Sequence, residues 1–212
     1  FSGLRLFEKI SFLKFNLFLF LIIFFPIYDG YSSIGLKQGL GIIFMLSSIF
    51  LVKKMFSFKS WCLIIPSIMS HYGFILFYFV FYISKFFSIK SLTILFLFSV
   101  IGYIFQLNGF LFYLVVEIFE TMQKSLYVET WLRFNNEVNY FNVFFSFLPL
   151  LFFKNRQFRN FINKEIFFRK IYKFHLLFSS IIFLFFSEFY YINRFLSLTW
   201  VFYPFYLLIF ID

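Results

Sequence analysis

The sequence is marked first by what it lacks. Alanine is absent from all 212 residues, glycine occurs 8 times, proline occurs 4 times, and charged residues make up only 13% of the chain. An ordinary soluble domain carries about 25% charged and about 45–50% apolar residues, whereas 62% of this chain is hydrophobic. These figures exclude an ordinary water-soluble globule, and no Gly/Ser-rich or Pro-rich linker divides the chain into two halves.

Residues that carry chemistry are equally scarce. Cys62 is the single cysteine, which excludes an internal disulfide and a cysteine-based metal or iron–sulfur site. Gly-rich phosphate loops, nucleophile triads and metal-ligand clusters are also missing from the sequence. We therefore expect no active site, metal or cofactor in this chain itself, although it could belong to an oxidoreductase complex.

Phenylalanine is abundant, with 45 residues, and much of it lies in long uncharged runs. No charged residue occurs between Lys59 and Lys85 or between Lys90 and Glu117. At about 1.5 Å per residue, each run could cross a hydrocarbon core of about 30 Å. The pattern predicts an all-α, polytopic transmembrane helix bundle that forms a single membrane domain. The predicted spans are 11–28, 34–52, 61–84, 91–116, 174–187 and 195–211, and 138–153 is a short seventh span or a re-entrant or interfacial segment.

The positive charge helps to choose between six and seven spans. The formal net charge is +10, and the lysines and arginines are confined to short segments between apolar runs. That arrangement is typical of charges that flank membrane helices, and it argues against nucleic acid as a partner. With six spans most of the basic residues fall on one side of the membrane, as the positive-inside rule favours, whereas with seven they divide almost evenly. We therefore expect six spans, with both termini on the basic side.

A few polar residues lie within the predicted spans. His71 is near the middle of the third, Gln106 and Asn108 are near the middle of the fourth, and Glu117 is at the end of the fourth. Such side chains are costly in hydrocarbon unless they are partnered. His71 could form a structural hydrogen bond with Gln106 or Asn108, or belong to a proton relay or quinone contact. Glu117 could gate protons or mark a helix end that meets water. We favour the structural interpretation for all four.

One basic segment is the strongest electrostatic feature of the sequence. Between 154 and 173 seven lysines and arginines face a single acidic residue, Glu165. The segment is predicted to contact anionic lipid headgroups such as those of cardiolipin, or an acidic partner subunit, and it also serves as an orientation signal. The seven residues are Lys154, Arg156, Arg159, Lys164, Arg169, Lys170 and Lys173.

The amino-acid usage resembles that of proteins encoded by extremely AT-rich organellar genomes, such as ciliate mitochondrial genomes. Ala, Gly and Pro need GC-rich codons, whereas Phe, Ile, Lys, Asn and Tyr can be written with A and T only. The resemblance implies a mitochondrially encoded, multi-pass subunit of the inner membrane that serves mainly as scaffold beside other subunits of a respiratory-chain complex. The alternative is a proton-conducting or transport subunit, of complex I, ATP synthase or a translocase channel.

Three short patterns resemble individual families. Residues 109–117 are similar to the Gly-to-Glu stretch in a span of cytochrome oxidase subunit III. Residues 134–137 are similar to the quinone-side loop of the first core membrane subunit of complex I. The third pattern consists of six proline, tyrosine, serine and threonine residues between 66 and 206, whose order along the chain is similar to that in the twin-arginine translocase channel subunit. These families exclude one another, and no functional residue is carried over from any of them. The residues of the third pattern are Pro66, Tyr172, Ser197, Thr199, Pro204 and Tyr206.

Overall fold

The computed structural model describes residues 36–50, 57–70, 73–111, 113–114, 117, 138–186 and 192–207. Over these ranges the chain is all-helical and contains no strand. The elements with defined bounds are α1 (Leu36–Phe50), α2 (Phe58–Ser70), α3 (Gly73–Ile83), a 3-10 turn (Ser84–Phe86), α4 (Ile89–Ile104), α5 (Tyr140–Lys154), α6 (Arg156–Lys164), α7 (Ile166–Phe185), α8 (Ile192–Trp200) and α9 (Tyr203–Leu207).

Short polar side chains begin three of these helices. At the start of α4, the side-chain oxygen of Ser88 accepts a hydrogen bond from the backbone N–H of Ser91 at 3.0 Å. Asn139 and Asn155 do the same for α5 and α6, and each accepts from two backbone N–H groups of the first turn. These bonds satisfy amides that have no partner within the helix. The few polar residues between the apolar runs therefore help to decide where the helices start.

The core is built around α7, which packs against α3, α4, α6 and α8. Several of its contacts join aromatic rings. The ring centroid of Phe174 lies 4.4 Å from that of Phe77 on α3, and that of Phe183 lies 5.0 Å from that of Tyr103 on α4. Aromatic pairs of this kind contribute about 0.5–1.5 kcal/mol each beyond the burial of their area. The abundance of phenylalanine thus becomes a largely aromatic core.

A second close contact joins α1 to α2 and α3. The hydroxyl of Ser67 donates a hydrogen bond to the backbone oxygen of Gly41 at 3.0 Å. A Cβ atom at Gly41 would lie only 2.5 Å from a ring carbon of Phe74 and 3.1 Å from the Cβ of Ser70. Glycine is therefore needed at this position because of the close approach of its neighbours.

The predicted transmembrane bundle is wrong for the part of the chain that the structure describes. Within those ranges, no helix combines the length and the apolar character needed to cross a membrane. A crossing needs about 20 residues at about 1.5 Å each, whereas α1, α2, α3 and α4 contain 15, 13, 11 and 16 residues. Neither six nor seven spans are present there, and the predicted span 11–28 lies outside the described residues.

Helix ends that hydropathy does not reveal divide two of the predicted spans. In 91–116, α4 ends at Ile104 and Gln106 takes a positive φ of 55°, a left-handed conformation that interrupts the helix. In 195–211, two residues separate the end of α8 at Trp200 from the start of α9 at Tyr203. Both runs remain uncharged across the break, so their hydropathy alone predicts one long helix.

The remaining predicted spans differ from the helices in other ways. The predicted span 61–84 covers both α2 and α3. The predicted span 174–187 overlaps only the second half of α7, whose first half carries Arg169, Lys170 and Lys173. The segment 138–153 is close to α5, whose 15 residues extend over about 22 Å.

Candidate functional site

The predicted intramembrane polar residues do not form one site in the described structure. His71 lies outside the described residues, so its predicted contact with Gln106 or Asn108 stays a prediction. The side chains of Gln106 and Glu117 are exposed, whereas Asn108 is only 5% exposed. Gln106, Asn108 and Glu117 therefore have different surroundings, and the relay alternative, which involves His71, stays a prediction.

Asn108 has a clear structural role. Its side-chain amide donates hydrogen bonds to the backbone oxygens of Phe183, at 2.9 Å, and Ser99, at 3.3 Å. Phe183 is in the last turn of α7, where carbonyl groups have no partner within the helix. Asn108 thus connects the turn after α4 to the end of α7. The structural interpretation of this residue agrees with these bonds.

The basic segment is helical, and its residues do not form a loop. Lys154 ends α5, three of the other basic residues lie on α6, and the last three lie in the first half of α7. The amphipathic pattern of α6 explains its orientation, because Phe158 and Ile162 are fully buried while Arg156, Arg159 and Lys164 are exposed. The predicted contact with lipid or with a partner subunit therefore has an accessible charged surface, and it stays a prediction.

A buried polar seam, which the sequence analysis did not identify, runs between α5, α7 and the two C-terminal helices. Two of its residues lie one turn apart on α5 and three lie on one face of α7, spaced by three and four positions. Each has a fully buried polar atom that hydrogen-bonds to no group of the described chain. The seam consists of Asn142, Ser146, Tyr172, His175, Ser179, Trp200 and Tyr206.

His175 is at the centre of the seam. Its Nε2 lies 3.0 Å from the backbone oxygen of Ser146, and since a carbonyl can only accept, Nε2 carries the proton. Nδ1 is then a buried lone pair that finds no donor among the described residues. Burial lowers the pKa of His175 from 6.5 to about 4, although the bond to Ser146 opposes this shift. The imidazole is therefore neutral at physiological pH.

The tyrosines beside His175 are also neutral. The Tyr203 ring lies 5.7 Å from the His175 ring, and the Tyr203 hydroxyl donates to the backbone oxygen of Phe145. Burial raises the pKa of Tyr206 well above 10, and the nearby Tyr172 raises it further. Among the residues whose side chains the structure describes, no buried side chain is a carboxylate, a lysine or an arginine. The seam can exchange hydrogen bonds, but it carries no charge near neutral pH.

The helical spacing of the seam residues is visible in the sequence, but the sequence does not show that their helices lie side by side. A polar face at 172, 175 and 179 and another at 142 and 146 have helical spacing. The predicted span 174–187 would have His175 at its start, whereas α7 begins eight residues earlier, at Ile166. The helix boundary, and with it the contact with α5, came only from the tertiary structure.

The described residues contain no group of three or more His, Cys, Asp or Glu side chains that could hold a metal ion. Fold and site together define a class: an all-helical bundle with an aromatic core, a neutral buried seam and a basic surface on α6 and α7. No protein-family model, curated protein or solved structure matches the chain.

Proposed function

We propose that this chain is a structural subunit of a respiratory-chain complex at the mitochondrial inner membrane. The observation that carries the proposal is the large apolar surface of the described helices. Side chains such as Phe79, Phe98 and Phe105 are 61%, 66% and 69% exposed. Monomeric proteins rarely expose large contiguous apolar patches, which usually mark sites of contact with other proteins or with membranes.

These exposed residues follow helical spacing. On α3 they are Ile75, Phe79 and Tyr82, and on α4 Ile94 and Phe98 begin a similar series that extends to Phe105. Each series forms a stripe along one face of its helix, because residues three and four positions apart lie on one side. A helix that is apolar towards the core and also on its outer face is suited to burial within an assembly.

The amino-acid composition supports the mitochondrial inner membrane as the compartment of this chain. Mutation pressure in an AT-rich genome accounts for the absence of alanine, which no folding requirement excludes because alanine is the best helix former. Membrane proteins retained in organellar genomes serve mostly oxidative phosphorylation. The proposed partners are accordingly other subunits of one large complex, together with anionic lipids.

The interior favours a scaffold over a conducting or transport subunit, the alternative role. A conducting path needs groups that change protonation near neutral pH or carry charge. The seam around His175 contains neither in the described residues, since the pKa of His175 is near 4 and the buried tyrosines keep their protons. It serves better as a set of orienting contacts between helices.

Native electrophoresis tests the proposal directly. Mitochondrial inner membranes are solubilised in a mild detergent, separated under native conditions and analysed band by band by mass spectrometry. We expect peptides of this chain to comigrate with the subunits of one respiratory complex, and to leave that band only when the complex itself is dissociated. Migration of the chain alone, away from every respiratory complex, would refute the scaffold role.

A further inference from the structure

The first half of α7 contacts the turn that carries Lys85, and this contact brings three basic residues into one region, the cluster described below. The ammonium group of Lys173 donates to the backbone oxygen of Lys85 at 3.5 Å, although 88 positions separate the two residues. Arg169 is one turn earlier on α7. Burial and the charge of Arg169 both lower the pKa of Lys173. The two carboxylates of the described chain, Glu117 and Glu165, are exposed and form no ion pair with this group. The cluster therefore concentrates positive charge, although Glu165 lies one turn before Arg169 along the chain.

Aromatic side chains contact one member of the cluster, Lys85. The Lys85 ammonium lies 3.6 Å from the centre of the Tyr82 ring and 4.7 Å from that of Phe86. Phe86 is 70% exposed, and the neighbouring Phe87 is exposed as well. Lysine beside exposed aromatic rings is typical of residues at the boundary between lipid headgroups and acyl chains.

The exposed apolar stripes of α3 and α4 lead away from this cluster. The turn that carries Lys85 joins the end of α3 to the start of α4, so each stripe has one end near the cations. On α4 the stripe from Ile94 to Phe105 is about 16 Å long at about 1.5 Å per residue. The surface of α3, α4 and the turn between them thus has a basic cluster at one end and exposed apolar side chains along the helices.

We propose that Lys85, Arg169 and Lys173 bind the phosphate of an anionic phospholipid whose acyl chains lie along the exposed faces of α3 and α4. Charge complementarity identifies the headgroup, because a guanidinium and two ammonium groups together match a phosphate. The adjoining apolar stripes identify the lipid, since a soluble phosphate or an acidic peptide needs no such surface. The inference rests on the membrane setting of the proposed function.

The test measures lipid retention by native mass spectrometry on the purified full-length chain in a nonionic detergent. The probes are phosphatidylglycerol and phosphatidylcholine with the same acyl chains. The test variant combines Lys85→Gln, Arg169→Gln and Lys173→Gln. Its matched control combines Lys53→Gln, Lys54→Gln and Lys59→Gln, and so removes the same charge outside the basic segment 154–173. Circular dichroism verifies that both variants keep their helices.

We expect the wild type and the control to retain phosphatidylglycerol over phosphatidylcholine, and the cluster variant to lose about tenfold or more of that affinity. Equal losses in both variants would show that only net charge matters, and would overturn the proposal. Equal retention of both lipids by the wild type would do the same, as would complete displacement of phosphatidylglycerol by inorganic phosphate. The assay uses the isolated chain, so its outcome is independent of whether the chain comigrates with a respiratory complex.

Discussion

Lowering the pH should destabilise the folded chain through His175, because its imidazole is buried in the neutral form. The ring donates from Nε2 to the backbone oxygen of Ser146, and burial lowers the pKa to about 4 from the ordinary value of 6.5. Below 6.5 the unfolded chain binds a proton at this position, whereas the folded chain does not until the pH nears 4. The contribution to stability is therefore complete above 6.5 and is lost as the pH falls.

The size of the effect follows from the gap between the two pKa values. At about 1.36 kcal/mol per pKa unit, the interval from 6.5 to about 4 corresponds to about 3 kcal/mol of unfolding free energy. Domains are stable by only about 5–15 kcal/mol. Protonation of this one side chain could thus remove a large share of the total stability. Because His175 is fully buried, solvent does not screen the effect.

Urea unfolding of the full-length chain, followed by circular dichroism, measures this prediction. The free energy of unfolding is compared between about pH 7 and about pH 4 for the wild type and for His175→Asn, which keeps a donor but does not titrate. Carboxylates titrate in the same interval, but their contribution cancels in the difference between the two proteins. The variant should be less stable near neutral pH and lose about 3 kcal/mol less on acidification. Identical pH dependence of the two proteins would show that protonation of His175 does not cause the loss of stability.

The other predictions concern positions where the backbone or a turn depends on one side chain. Asn108→Ala removes two hydrogen bonds and should cost about 1–3 kcal/mol in urea unfolding, whereas the exposed Asn160→Ala should stay within about 0.5 kcal/mol. Gly41→Ala gains helix propensity but forces its Cβ against Phe74, at 2.5 Å, so we expect a net loss of about 1 kcal/mol; a more stable variant would contradict the packing. Gln106→Gly relieves the strain of the positive φ and should raise the free energy of unfolding by up to about 1 kcal/mol, which thermal unfolding would show as a slightly higher midpoint. A clear loss of stability would show that the side-chain contacts of Gln106 outweigh that strain.

The sequence predicted helices well in some segments and poorly in others, for a consistent reason. The segment 138–153 is close to α5 because Asn139 caps its start, and such a cap is a local signal. The end of α4 was missed because Gln106, and not the usual glycine, takes the left-handed conformation that ends the helix. The bond that joins the following turn to α7 runs from Asn108 to a carbonyl 75 positions away. Where apolar residues such as phenylalanine occur both before and after a turn, the mean hydropathy stays high and does not show that the helix ends there.

Composition and local spacing account for the apolar excess, the helical character, the scarcity of reactive groups and the positions of the basic residues, so these features could be predicted from the amino-acid sequence. Which polar groups meet depends on tertiary packing. It placed Lys173 beside Lys85 and His175 beside Ser146, and it ended helices where composition predicted that they continue. Such contacts depend on the packing of helices far apart in the chain, and no local pattern contains that information.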